Sequence, residues 1–167
     1  MPRTIELSTF LSADPDLVWS HVRTSRLLNY VTNPLIVFRP RKSCGFPAEW
    51  TEGDYQAEMR LFGFIPVGQQ TIGIRYPAAP VGNTRILRDK GHGTSARVWD
   101  HYIVVEPEGE SGTRYTDRVT VDAGWHTPFV AAFAYVFYAH RQRRWRKLVR
   151  SGFADLHGTA KKEEKPG

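Results

Sequence analysis

Residues 125–153, WHTPFVAAFAYVFYAHRQRRWRKLVRSGF, form the only segment long and periodic enough to be a major helix. The segment follows a long region that reads mostly as strands. A β-rich chain closed by one long helix needs that helix to cover the sheet. Phe129, Phe133 and Phe137 recur at four-residue spacing, and Val130, Ala134 and Tyr138 form a neighbouring row. Thr127 is placed to cap the first turn and Pro128 suits the first helical position, where no amide hydrogen is needed. Neither proline nor glycine follows until Gly152, the expected C-cap. Such a helix is roughly 36 Å long at its ordinary rise, enough to cross a small domain. Its apolar run ends at His140 and Arg141, too early for a membrane span.

The two halves of this helix differ. The first is apolar on nearly every side. The second carries Arg141, Arg143, Arg144, Arg146, Lys147 and Arg150. These cations account for much of the chain's net charge, 23 − 17 = +6. Their expected place is the surface, outside any pocket. There they would be a solvated face, or a contact for an anionic membrane surface or an acidic protein. No stacking-aromatic motif accompanies them, so nucleic acid ranks last.

The 167 residues suit one domain, expected over 1–156, with a polar, low-complexity tail over 157–167. A chain of this size buries roughly 70 % of its unfolded surface, so stability requires no metal or disulfide. Cys44 is the single cysteine, which excludes an intrachain disulfide and favours a cytoplasmic protein. The opening MPRTIELSTF has no charged start followed by an apolar run, so no signal peptide is expected.

Alternation of apolar and polar residues predicts strands at 4–10, 35–39, 54–62, 67–76, 85–89, 95–105 and 113–122. Gly91-His92-Gly93 reads as a hairpin turn, and Glu108 to Gly112 as a second. Two short helices follow the first strand, one beginning near Pro15 behind Ser12 or Asp14, the other over 25–30. The order predicts an α+β fold: a curved antiparallel sheet of about seven strands gripping the final helix. A gap between such a sheet and its helix is where apolar ligands bind.

This order, with ADPDLVWSHV after the opening strand, RVWDHYIVVEP, GTRYTDRVTV and the closing FYAHRQRRWRKL, resembles the START-like helix-grip superfamily, also called SRPBCC. The superfamily includes lipid-transfer domains and the polyketide cyclase/dehydrase family. The resemblance covers roughly residues 3–153 and implies a deep cavity for a hydrophobic or amphipathic molecule. It marks the fold and not a reaction, and it transfers no catalytic residue.

The strand at 113–122 has a uniformly polar even face, so Tyr115, Asp117, Val119 and Val121 should point inward. On the preceding strand Trp99, His101, Ile103 and Val105 are the inner set. A turn near residue 109 or 110 then puts His101 opposite Asp117 or one diagonal step away. A buried carboxylate needs a partner, and the imidazole supplies one. The pair reads as structural, as ligand-orienting, or as a general acid/base dyad of a cyclase/aromatase-like enzyme. Tyr55, Met59 and Trp99 fit a cavity wall. Phe129, Phe133 and Phe137 should form its lid over Tyr115, Asp117 and Trp99. Trp125, with His126, stands at the mouth. No zinc-binding, phosphate-loop or nucleophile-elbow motif occurs, so neither metal nor nucleotide cofactor is expected. Binding or transport of a small hydrophobic ligand is the leading expectation.

Overall fold

The computed structural model describes residues 1–79 and 82–156, and in it the alternating segments join one antiparallel sheet. The strands are β1 (Arg3–Leu11), β2 (Ile36–Pro40), β3 (Gly53–Leu61), β4 (Ile65–Arg75), β5 (Arg85–Gly93), β6 (Val98–Glu108) and β7 (Gly112–Asp122). Their order across the sheet is β1-β7-β6-β5-β4-β3-β2. Every step from β2 to β7 is a hairpin between sequence neighbours. β1 alone reaches the far edge, where it pairs with β7. The expected tail over 157–167 lies outside the described residues.

Between the two edge strands the chain is carried by α1 (Pro15–Val22) and α2 (Ser25–Thr32). The Asp14 carboxylate caps α1, accepting from the amides of Asp16 at 2.8 Å and Leu17 at 3.4 Å. Thr24 Oγ1 caps α2 by accepting from the Leu27 amide at 3.2 Å. Both helices bury one face, through Val18, Val22, Leu27 and Val31.

α3 (Thr127–Arg150) is the long closing helix, 24 residues in length. Thr127 does not act as its cap. It is already the first helical residue, and its hydroxyl ties down the preceding 3-10 turn by donating to Gly124 O at 2.7 Å and accepting from Ala123 N at 2.9 Å. The C-terminus closes as a Schellman motif. Gly152 N donates to Val149 O, and Phe153 N donates to Leu148 O, both at 3.0 Å. Gly152 takes φ +58°, a region that glycine enters without Cβ strain. No helix among the described residues is long and apolar enough to cross a membrane.

α3 divides the interior into two apolar clusters. Trp145 and Leu148, from its arginine-rich half, pack with Val18, Val22, Leu27, Val31, Trp50 and Tyr115. Ala131, Ala134, Phe137 and Tyr138, from its apolar half, pack with Ile36, Val119 and Val121. Each fully buried large side chain contributes roughly 1.5–3 kcal/mol. The basic half of the helix therefore seals one end of the grip as firmly as the apolar half covers the other.

One hairpin differs from the sequence reading. Gly91 and Gly93 lie within β5, and the turn falls after them, where Gly93 N donates to Ala96 O at 2.8 Å. These glycines serve the approach of the neighbouring strand. A Cβ on Gly91 would stand 2.8 Å from Thr71 O, and one on Gly93 would collide with Gln69 O.

Candidate functional site

The sheet curves away from the first half of α3 and leaves a cavity of about 620 Å³. Its wall is mostly apolar: Phe38, Met59, Leu61, Val67 and Ile72 from the sheet face Phe129, Val130, Phe133 and Phe137 from the helix. The helical row is graded along its length. Phe129 is 72 % exposed, Phe133 39 % and Phe137 4 %, so the cavity opens at the start of α3 and closes towards Arg141.

Of the residues expected to touch a ligand, Met59, Trp99, His101, Phe129, Phe133 and Phe137 line this space. Four expected there do not. The Tyr55 ring packs 5.0 Å from Trp50, and its hydroxyl pairs with Thr51 Oγ1 at 2.8 Å. Trp125 projects outward at 78 % exposure, and its neighbour His126 takes the lining position. Tyr115 and Asp117 face inward as their alternation requires. They lie beneath Arg141, Gln142 and Trp145 rather than under the phenylalanine lid, in the sealed half of the grip.

At the inner end the apolar wall gives way to a polar layer. In the sheet, His101 is paired with Val119, which sets it one diagonal step from Asp117. The two side chains meet at 2.8 Å between Nε2 and Oδ1. Tyr115 Oη donates to the same oxygen at 3.1 Å, and Gln142 Nε2 donates to Oδ2 at 3.2 Å. Arg141 Nη2 lies 3.9 Å from Oδ1, an ion pair beyond hydrogen-bond reach. Burial disfavours the Asp117 charge. The Arg141 guanidinium and these donors outweigh it and hold the carboxyl below its ordinary range. An ionised carboxylate only accepts, so His101 Nε2 carries the proton and Nδ1 keeps a lone pair. Burial lowers the His101 pKa, with Arg141 acting in the same direction and Asp117 opposing, so the ring is neutral at pH 7.

Asp89 and Arg141 complete the layer, and sequence reasoning missed both. Asp89 is directly opposite His101 in the β5–β6 register and lines the cavity. Its Oδ1 accepts from Gly73 N at 2.7 Å. Asp89 is partly buried, and its side chain borders the cavity. Burial pushes its pKa up to about 7, against the Gly73 amide and Arg141, with Asp100 and Asp54 adding repulsion. A hairpin turn centred on His92 would have paired Asp89 with Ser95; the actual turn brings it beside His101. The available signal was the pair of glycines, which mark close strand approach as readily as a turn.

Arg141 was expected outside the pocket with the other cations. It is instead 5 % exposed and lines the cavity. The reason is helical period. Ala134, Tyr138, Arg141, Trp145 and Leu148 follow at alternating spacings of four and three, the buried row of α3. The guanidinium carbon lies 5.1 Å from the centre of the Tyr138 ring, which provides a cation–π contact. Burial opposes its charge, and Asp117 and the tyrosines more than restore it, so the group stays cationic. Arg144 also turns inward, 4.0 Å over the Tyr30 ring. Arg143 and Arg150 are exposed, Arg146 donates to Thr9 Oγ1 at 3.0 Å, and Lys147 approaches Asp155 at 3.9 Å. Beyond the polar layer lies a second void of about 50 Å³, which shares Leu28, Ile72, Asp89, His101 and Arg141 with the main cavity.

Comparison with known proteins places this architecture. The family described as a domain of unknown function (DUF8410) matches residues 9–149. No curated protein matches the chain. Among solved structures, a Chromobacterium violaceum protein is similar at 17 % identity and TM-score 0.61, covering 87 % of this chain and 96 % of its own. A START superfamily protein from Mycobacterium smegmatis shares 13 % identity at TM-score 0.58, with 89 % and 97 % covered. The Zhui aromatase/cyclase from a Streptomyces species shares 11 % at TM-score 0.56, with 94 % of each chain covered. The fold is START-like.

Proposed function

The chain belongs to the DUF8410 family, and we propose that it binds or carries a small, largely apolar ligand between the sheet and α3. The observation that carries this reading is the cavity itself. At about 620 Å³ it falls within the range of small-molecule sites, it is walled by apolar side chains, and it has a few convergent polar groups at one end. The exposed Phe129 and half-exposed Phe133 at its mouth are hard to explain as packing, since a folded chain ordinarily buries such rings. The exposed free Cys44 fits a cytoplasmic setting. Native mass spectrometry of the purified protein tests the reading. A non-covalent adduct of small-molecule mass that disappears on denaturation is expected. An unliganded spectrum, together with no uptake of an apolar dye, would contradict it.

A second reading, a cyclase-like enzyme, is favoured by one arrangement. His101 holds a free lone pair on Nδ1, Asp117 orients the ring, and Asp89 across the strand has a pKa of about 7. A neutral imidazole and a half-protonated carboxyl in one cavity suit proton abstraction and return. The ligand extracted from the native complex decides between the readings. Conversion by the wild type and not by His101→Gln indicates catalysis. Unchanged ligand with both proteins leaves binding alone.

A further inference from the structure

Arg141 has more hydrogen-bonding capacity than its surroundings use. Its Nε is enclosed and has no acceptor among the described residues. Its nearest carboxylate, Asp117, is 3.9 Å away and already accepts from His101, Tyr115 and Gln142. Asp117 thus supplies charge to Arg141 without taking up its donors. A guanidinium that is almost fully buried, beside an apolar chamber, with its Nε–H left without an acceptor, is costly unless something completes it. Its planar fork matches a carboxylate on both oxygens.

Resting on the cavity-binding reading above, we infer that the ligand is an amphipathic carboxylic acid, its apolar body among the phenylalanines and its carboxylate against Arg141. The position suits this polarity. The lining between the mouth and the inner layer is mostly apolar, and Arg141 stands at the closed end with Asp89 and His101. Arg141 and Asp117 already sum to zero, so a carboxylate brings a net negative charge into a poorly solvated chamber. Asp89 avoids adding a second negative charge by holding its proton, and as a neutral acid it can donate to the ligand. The charged and titratable groups that act on Asp89 are Asp54 on β3, Asp100 and His101 on β6, and Arg141 and Tyr138 on α3. The two carboxylates favour the protonated form, and Arg141, once paired with a ligand, opposes it less. Binding of the acid therefore takes up a proton and weakens as the pH rises through about 7.

The experiment is a displacement assay on the full chain. N-phenyl-1-naphthylamine, a neutral dye, reports occupancy, and dodecanoate competes against methyl dodecanoate. In the wild type, dodecanoate should displace the dye at least about tenfold more tightly than its ester, a difference of about 1.4 kcal/mol. In Arg141→Met the ratio of acid to ester affinity should fall to about one. Because Arg141→Met leaves Asp117 without its cation, the double variant Arg141→Met/Asp117→Asn is measured beside it. The wild type alone gives a further arm, in which the preference for acid over ester falls between about pH 6 and about pH 8. Equal displacement by acid and ester in the wild type overturns the inference and leaves the cavity reading standing. Failure of the dye to bind overturns the cavity reading, and the carboxylate site with it.

Discussion

Two aspartates in one layer carry opposite pH behaviour. Asp117 has its pKa lowered in the fold, so its stabilisation is present above the unfolded carboxylate range and is lost as the pH falls. Replacing it with alanine strands a buried Arg141 and leaves His101, Tyr115 and Gln142 without their acceptor. A loss of roughly 3–5 kcal/mol in chemical denaturation at pH 7 is expected. Asp89 has a raised pKa, so its sign is reversed. Its neutral form is the one the fold tolerates, and it costs stability as the pH rises through about 7. Asp89→Asn keeps an acceptor for the Gly73 amide and removes the charge. It should stabilise the protein at pH 9 by a few kcal/mol, on the order of 3, and make little difference near pH 4. Paired urea titrations at the two pH values measure this. His101 facing Asp117 was legible in the sequence because period-two alternation and one turn position determine a diagonal neighbour. Asp89 facing His101 was not, because it depends on the other turn, and a G-x-G segment leaves that turn's position open by several residues.

At the level of elements, α3 and the β5–β6 hairpin explain most of what sequence reasoning gained and lost. The helix length, its glycine cap and its two-part character follow from spacing alone. The buried row was also readable, and it runs through Arg141. A charge inside a dense basic run reads by default as solvated, and only the neighbours one turn away, Tyr138 and Trp145, identify this one as internal. Tyr55 and Tyr115 share faces with cavity residues, yet packing against Trp50 and Trp145 removes them from the cavity; alternation gives the face of a strand, not the depth along it. In the hairpin, Gly93 is an inward-facing strand residue pressed against the Gln69 carbonyl. Gly93→Ala should therefore cost about 2 kcal/mol or more in thermal or chemical unfolding, because the obstacle is backbone and cannot swing aside. A mere turn glycine with an ordinary φ would tolerate alanine at little cost. Gly152→Ala, at φ +58°, should cost about 1 kcal/mol through the helix cap.

Across the molecule, one sheet and one helix make two interiors. Where the sheet meets the arginine-rich half of α3, tryptophans, tyrosines and the two short helices fill the space. Where it meets the apolar half, the space stays open. This inverts the intuition that an apolar helical segment is the one that packs: Phe129 and Phe133 are too exposed to be core, and Trp145, set among cations, is fully buried. On the function proposed above, the open half is a binding site. A titration of wild-type protein and Val67→Trp with N-phenyl-1-naphthylamine tests it most directly, since an indole at position 67 occupies the cavity without touching the sealed core. Saturable dye binding to the wild type, no binding to Val67→Trp, and the same circular dichroism and unfolding midpoint for both are expected. Equal dye binding by the two folded proteins, or none by the wild type, would contradict it.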